Sequence, residues 1–244
     1  FISADGTQSD LFTVVDSSIP FGGPDGAVLS FDGANYCKVY ERMGRIYGIR
    51  ITPDGTVLDA AGGFQISNLI YDDSDSGPTL AFDGSNYLVV WQKERSPSAV
   101  GSRILGAFVS PSGVPDAEFY IESDIDTDSE SPALSFDGSN YMVAWADYRN
   151  SGVNAAHIYV ARVTPVGVVL DPEGFPVTET SSTKYSTRLT FAGTHHNVSW
   201  WEVNVVAQFQ TQYSCKRLAN DVSLDDDLTT SNGLSSETLN ITYM

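Results

Sequence analysis

One stretch of about a dozen residues is written three times in this chain and then echoed, and it constrains the fold more than any other feature. It reads LAFDGSNYLVVW from Leu80 to Trp91, and its copies begin at Leu29, at Leu134 and, with several substitutions, at Leu189. The copies recur about every 50 residues, which indicates an array of similar supersecondary units rather than one irregular domain.

Each repeat predicts four short antiparallel strands. Its first two strands flank an Asp-Gly pair, a hairpin signal because glycine tolerates positive φ and aspartate bonds its own backbone. The second strand, Tyr87 to Trp91, is apolar on both faces, so we expect it to be buried on both sides. A third strand, such as Arg103 to Ser110, ends at a Pro-x-Gly turn and leads to a fourth strand.

This pattern predicts an all-β fold, a β-propeller of four-stranded antiparallel blades. The blades are read at 20–72, 73–125, 126–180 and 181–228, and 1–19 with 229–244 would add a composite or partial one. We therefore expect a single propeller domain of about five blades over residues 1–244. Two explanations of these terminal segments stay open. The segments could close the ring of blades, or they could belong to a longer chain.

Charge excludes some partners and favours others. Thirteen Lys and Arg against 31 Asp and Glu give a net charge of −18, which argues against nucleic acid and anionic membranes. No apolar run is long enough to predict a membrane span. Two cysteines, Cys37 and Cys215, are too few for a disulfide framework, and whether they pair stays open.

A second motif follows the first one in the repeat. The residues IYGIRITPDG, from Ile46 to Gly55, follow the first FDGxNY copy. Together the two motifs resemble the tandem repeats of secreted or surface bacterial β-propeller proteins, over most of residues 1–205. The resemblance implies export to the extracellular space or cell surface, with a non-catalytic scaffold, adhesion or assembly role, and it supplies no catalytic residue.

Repetition separates structural groups from functional ones, because a group that holds a blade together is needed in every blade. Asp32, Asp83 and Asp137 occupy the same turn and are interpreted as structural, and the repeated tryptophans as core. Function is expected in the unrepeated loops before each first strand and after each second strand. The candidate ligand-binding residues of these loops are Asp72, Asp73, Asp75, Glu94, Arg103, Asp147 and Arg149.

One acidic loop is a candidate calcium site, because Ca²⁺ prefers carboxylate and carbonyl oxygens. Its candidate ligands are Asp124, Asp126, Asp128 and Glu130. The loop does not match an EF-hand, since Ser129 and Ser135 stand at its sixth and twelfth positions. A solvated acidic loop is the alternative, and no other cofactor is predicted.

These observations predict a non-catalytic extracellular propeller that serves as a surface scaffold, adhesion or assembly module and is not an enzyme. Its expected partner is a protein or a glycan at the loop face. Two alternatives remain, a carbohydrate-binding, lectin-like propeller and a glycoside hydrolase. The latter needs two carboxylates about 5 to 10 Å apart, and no motif selects a pair among Glu94, Asp147, Glu202 and the acidic loops.

Overall fold

A computed structural model describes residues 28–60, 62–68, 73–94, 101–123, 128–149, 156–178, 182–204, 210–221 and 224–228. Sixteen β-strands in these ranges form four sheets of four strands, and consecutive strands are neighbours in each sheet. The predicted all-β propeller class with four-stranded antiparallel blades is confirmed, and we call the sheets blades 1 to 4. The composite blade expected from residues 1–19 and 229–244 lies outside the described residues, so the blade count stays a prediction.

The strands follow the repeats of the sequence. Blade 1 comprises β1 (Val28–Phe31), β2 (Tyr36–Arg42), β3 (Arg45–Ile51) and β4 (Phe64–Gln65). Blade 2 comprises β5 (Ser74–Phe82), β6 (Tyr87–Glu94), β7 (Ser102–Val109) and β8 (Phe119–Tyr120). Blade 3 comprises β9 (Ser129–Phe136), β10 (Tyr141–Asp147), β11 (His157–Val163) and β12 (Phe175–Pro176). Blade 4 comprises β13 (Thr183–Phe191), β14 (His195–Asn204), β15 (Gln210–Ala219) and β16 (Leu224–Leu228).

Contacts divide the chain into two compact units, Phe1–Ala99 with Ile104–Tyr120, and Val100–Arg103 with Ile121–Met244. Each unit has its own apolar core, and the repeated tryptophans are buried as expected. The first core includes Val39, Leu80, Trp91 and Leu105. The second includes Met142, Ala144, Val198, Trp200 and Leu218. A single domain over residues 1–244 stays a prediction.

The repeated Asp-Gly turns have the structural role that the sequence predicts. The Asp83 carboxylate accepts hydrogen bonds from the backbone N–H groups of Ser85 at 2.7 Å and Asn86 at 2.8 Å. Gly84 has φ of +100°, a conformation that glycine adopts without steric cost. The carboxylates of Asp32 and Asp137 make the same bonds, so the interpretation of these aspartates as structural is confirmed.

Two arginines at matching positions of β3 and β11 hold the loop after the third strand within their own blades. Arg50 Nη2 lies 2.6 Å from Asp59 Oδ1, and Arg162 Nε lies 2.7 Å from Asp171 Oδ2. In each case the carboxylate also accepts the backbone N–H of the arginine. Such forked pairs combine charge with fixed geometry, so they hold the loop against the strand.

The first strands of blades 2, 3 and 4 share a bulge. Each has one extra residue relative to its partner strand, between Ser76 and Thr79, between Glu130 and Ala133, and between Tyr185 and Arg188. A residue with φ between 51° and 58° lies in each bulge: Gly77, Ser131 and Ser186. A bulge changes which side chains share a face and increases the local twist.

Two further expectations concern membranes and thiols. Among the described residues, no helix is long and apolar enough to cross a membrane. Cys37 and Cys215 are both free thiols. Burial, followed by the charges of Asp59 and Asp32, raises the pKa of Cys37 to about 12, so this thiol belongs to the core, as its place in the repeat suggests.

We expect His196 to make stability depend on pH. This buried histidine replaces the repeated tyrosine, and it lies 5.1 Å from the ring of Phe191, as Tyr87 lies 4.9 Å from Phe82. Burial lowers its pKa, and Asp137 opposes this shift only in part. The unfolded chain, with a histidine pKa of about 6.5, therefore takes up a proton first as the pH falls. The stability contributed by neutral His196 is present above about pH 6.5 and is lost below it.

Denaturation in urea at pH 7.5 and at pH 5.5 measures this effect. The His196→Tyr variant, which restores the residue of the other blades, should lose less free energy of unfolding between the two pH values than the wild type. An equal loss in both proteins would contradict the assignment to His196.

Candidate functional site

Each of the repeated tryptophans contacts a buried carboxylate. The indole N–H group donates to a carboxylate in three blades: Trp91 to Asp75 at 3.2 Å, Trp145 to Asp147 at 2.8 Å and Trp200 to Glu202 at 3.2 Å. A buried indole N–H needs an acceptor. Because this acceptor is a carboxylate, each blade also buries a negative charge.

The carboxylates belong to cross-strand pairs at one register position, two residues beyond the tryptophan on the second strand. The pairs are Asp75 with Lys93, Ser129 with Asp147, and Lys184 with Glu202. All six residues are buried. The position on the second strand is therefore a lysine in blade 2 and a carboxylate in blades 3 and 4, so the signs of the charges are reversed between blades.

The pair in blade 2 belongs to a cluster of four charged groups, which we call cluster 1. Lys93 Nζ lies 3.5 Å from Asp75 Oδ1 and 3.3 Å from Glu118 Oε2, and Arg45 Nη1 lies 3.9 Å from Asp75 Oδ2. The side chains of Asp75, Lys93 and Glu118 are 0%, 4% and 9% exposed. Two cations and two carboxylates balance each other, as buried charges require.

Cluster 1 brings two carboxylates together and changes the acidity of one. Both contact the same ammonium nitrogen, so the contacting oxygens are separated by no more than the sum of those two distances. Glycoside hydrolases hold their two carboxyl groups about 5 to 10 Å apart, so the upper limit found here does not exceed those separations. Burial raises the pKa of Asp75 and the charge of Glu118 raises it further, against a hydrogen bond from Ser67 and the charges of Lys93 and Arg45. Asp75 is therefore protonated more readily than an ordinary aspartate, as a general acid requires.

Glu118 is not required by the blade architecture. It immediately precedes Phe119 in β8, whereas glycines, Gly63 and Gly174, precede the corresponding Phe64 and Phe175. Its other carboxylate oxygen accepts the backbone N–H of Asn68. An unrepeated carboxylate that is held at both oxygens is a candidate for chemistry, because a blade can be built without it.

Cluster 2 lies in the second unit and brings together three of the residues predicted from sequence. Arg149 Nη2 lies 2.6 Å from Asp147 Oδ2 and 3.9 Å from Glu122 Oε2, and Arg103 Nε lies 3.4 Å from Glu122 Oε1. The guanidinium of Arg149 also lies 4.4 Å from the centre of the Tyr159 ring. Glu122 stands where the other blades have hydroxyl residues, Ser67 and Thr178.

Cluster 3 contains one carboxylate. Lys184 Nζ donates to the carbonyl of Ser182 at 2.5 Å, and the hydroxyls of Ser182 and Ser214 contact the Glu202 carboxylate. Burial lowers the pKa of Lys184, and the charge of Glu202 opposes that shift. Without a second carboxylate among its described residues, this cluster does not offer an acid and base pair.

The other predicted site residues are separate from these clusters or lie at their edges. Asp73 is half-buried, and its carbonyl accepts a hydrogen bond from Arg45 at 2.6 Å. Glu94 is exposed. Asp128 is exposed and its carboxylate accepts the Ser102 N–H at 2.8 Å, while Glu130 is half-buried. Asp72, Asp124 and Asp126 lie outside the described residues.

The calcium hypothesis therefore stays a prediction, because two of its four ligands are not described. Within the described ranges, no group of three or more His, Cys, Asp or Glu side chains could hold a metal ion.

Sequence reasoning missed Lys93, Glu118, Glu122 and Lys184. A signal for Lys93 was available, because alternate residues of a strand share a face. A lysine two residues beyond a core tryptophan must be buried beside it, and a buried lysine needs a carboxylate. Glu118 had no such signal, since it reaches the cluster from a loop distant in sequence.

Several solved structures share this fold. The chain matches the Bacteroides ovatus protein described as xyloglucan PUL GH43B with a TM-score of 0.57 and 11% identity, over 92% of this chain and 43% of that one. It matches an endo-arabinase from Bacteroides thetaiotaomicron with a TM-score of 0.58 and 12% identity, over 86% and 81% of the two chains. It matches an alpha-L-arabinofuranosidase from Lactobacillus brevis with a TM-score of 0.54 and 14% identity, over 86% and 77%. No family model matches the sequence, and no curated protein matches it.

These matches correct two expectations. The predicted non-catalytic surface scaffold and the predicted absence of enzymatic activity are both wrong, because the similar folds are those of glycoside hydrolases. The carbohydrate-related alternatives agree better with the matches. The repeats led to the wrong function because they contain information on how a blade is built, whereas function depends on the site that the blades carry. The same fold can carry different sites.

The buried arginine of cluster 2 gives a stability prediction. Replacing Arg149 by methionine leaves the Asp147 and Glu122 carboxylates without that cation, so we expect the free energy of unfolding to fall by about 3–5 kcal/mol. Arg162→Met is the matched control, because Arg162 also forks onto an aspartate but its side chain is 24% exposed. Its loss should be smaller, about 1 kcal/mol. Denaturant-induced unfolding measures both, and equal losses would contradict the role assigned to burial.

Proposed function

We propose that this chain is a glycoside hydrolase that uses Asp75 and Glu118 as its acid and base pair. The observation that supports the proposal is the contact of both carboxylates with Lys93 Nζ, at 3.5 and 3.3 Å, together with the raised pKa of Asp75. Glycoside hydrolysis needs a protonated carboxyl group and an ionised one at this kind of separation.

Each group of the cluster has a role in this mechanism. Asp75, protonated more readily because it is buried, donates its proton to the glycosidic oxygen as the bond to the leaving sugar breaks. Glu118 either removes a proton from a water molecule that attacks the anomeric carbon, or attacks that carbon itself to form a glycosyl ester that water then hydrolyses. The indole of Trp91 and the ammonium of Lys93 hold the two carboxyl groups in position.

The substrate class follows from the names of the similar structures. An endo-arabinase, an arabinofuranosidase and a xyloglucan-associated GH43 protein share the fold, so we propose a plant polysaccharide rich in pentose sugars. This chain spans 43% of the Bacteroides ovatus protein. A polymeric substrate and the net charge of −18 also support a location outside the cell, at the surface or secreted.

A second candidate is carbohydrate binding without cleavage. It is favoured by burial, because the side chains of Asp75 and Glu118 are only 0% and 9% exposed, and a catalytic pair must touch its substrate. A lectin-like site would bind the same glycans and release them unchanged.

Hydrolysis assays test the proposal. We expect release of reducing sugar from arabinan, arabinoxylan or an aryl arabinofuranoside, and a kcat lowered by at least about 100-fold in Asp75→Asn and Glu118→Gln. Glu122→Gln is the matched control, since it alters a buried carboxylate of cluster 2 and should keep the wild-type kcat. Thermal melting of each variant establishes that it is folded.

Two results would count against the proposal. Wild-type activity in folded Glu118→Gln would remove Glu118 from the mechanism. Binding of these glycans by the wild type, measured by calorimetry, with no product formed would favour the second candidate.

A further inference from the structure

The Glu118 carboxylate is held by one donor from each of two neighbouring blades. The backbone N–H of Asn68, in the loop after β4 of blade 1, donates to Oε1. Lys93 Nζ, in blade 2, lies 3.3 Å from Oε2. Because the two donors contact different oxygens, rotation of the carboxylate about its last bond would break both contacts. The two donors together therefore fix the plane of the carboxylate.

The corresponding N–H group in the second unit makes an ordinary backbone bond. Ser123 lies three residues after β8, as Asn68 lies three residues after β4. The N–H of Ser123 donates to the carbonyl of Pro172 at 2.9 Å, in the loop before β12. The blade architecture thus needs only an acceptor for this donor, and a backbone carbonyl is sufficient. In blade 2 the side chain of Glu118, from the equivalent loop before β8, has taken that place.

The two donors of Glu118 differ in their exposure to solvent. The side chain of Lys93 is 4% exposed, whereas Asn68 is exposed. The side of the carboxylate next to Asn68 is therefore the side that a sugar or an attacking water molecule can approach. The N–H group that orients Glu118 lies at the entrance to cluster 1.

We propose that Asn68 is a positioning residue for Glu118, because its backbone N–H holds Oε1 in the orientation that the reaction needs. This role rests on the proposed function. Each oxygen of an ionised carboxylate can accept more than one hydrogen bond, so Oε1 can still accept a proton from water or attack the anomeric carbon. Asn68 exchanges no proton with the substrate. Its contribution is to the rate, because a misplacement of about 1 Å can slow a reaction about 100-fold.

Removal of this N–H group tests the proposal. Asn68→Pro removes it, since proline has no backbone N–H. We expect kcat for an aryl arabinofuranoside to fall at least about tenfold, while KM changes by less than about twofold. Asn68→Ala keeps the N–H and should rescue most of the lost kcat. An α-hydroxy acid at position 68, introduced by nonsense suppression, replaces the amide by an ester. It removes the same N–H without a proline ring and should lower kcat to a similar extent.

Ser123→Pro is the matched control. It removes the equivalent N–H of the second unit, together with a hydroxyl that donates to Glu173. Its melting temperature should therefore fall at least as far as that of Asn68→Pro, while its kcat stays at the wild-type value. An N–H group with a structural role alone would lower the melting temperature in both variants and kcat in neither.

Four results would count against this role. An undiminished kcat in folded Asn68→Pro, or in the ester variant, would show that Glu118 does not need this donor. An equal loss of kcat in Ser123→Pro would assign the effect to general distortion of the blades. A raised KM at constant kcat would assign the loop to substrate binding. Absence of hydrolysis by the wild type would defeat the proposed function itself, and this role with it.

Discussion

The buried indole N–H of the repeated tryptophan is the constraint on which much of this structure depends. Blades 2, 3 and 4 all satisfy it with a carboxylate, and each therefore holds a negative charge inside an apolar sheet. That charge is tolerable only beside a cation. The cation is supplied across the strand pair in blades 2 and 4, by Lys93 and Lys184. In cluster 2 it comes from Arg149. A hydrogen bond of modest energy has thus determined where several ionic groups must lie.

The same clusters show how a site can arise from structural parts. A carboxylate accepts the tryptophan N–H in blades 2, 3 and 4, but Glu118 and Glu122 are not repeated, because glycine or a hydroxyl residue takes their places elsewhere. Each adds a second carboxylate to a cluster already prepared to hold charge. In cluster 1 the addition contributes to raising the pKa of Asp75. The blade architecture supplies burial and the cation that both carboxylates contact, and the unrepeated residue Glu118 supplies the second carboxylate.

The fold could be predicted from sequence far better than the site. Asp83 and Gly84 specify a turn through their own backbone bonds, and Tyr87 to Trp91 show double burial directly, so local rules sufficed. The site depends on contacts between distant segments, such as Lys93 with Glu118, which no spacing reveals. Asp75 and Asp147 were interpreted as loop groups, yet β5 and β10 extend far enough to include both. The function was misjudged for a related reason, because repeats report architecture and the proposed activity depends on an unrepeated residue.

The reversed charges of the cross-strand pairs also bear on how similar blades find their places. Tandem copies of nearly the same sequence can exchange partners while they fold, and misassembly of this kind is a known hazard of repeat proteins. Arg45 of blade 1 meets Asp75 of blade 2. If blade 4 took that place, its register would bring Lys184 towards Arg45, and two cations would be buried together. The sign of this one charge therefore disfavours blade 4 in the place of blade 2, as a specificity device within a set of similar repeats.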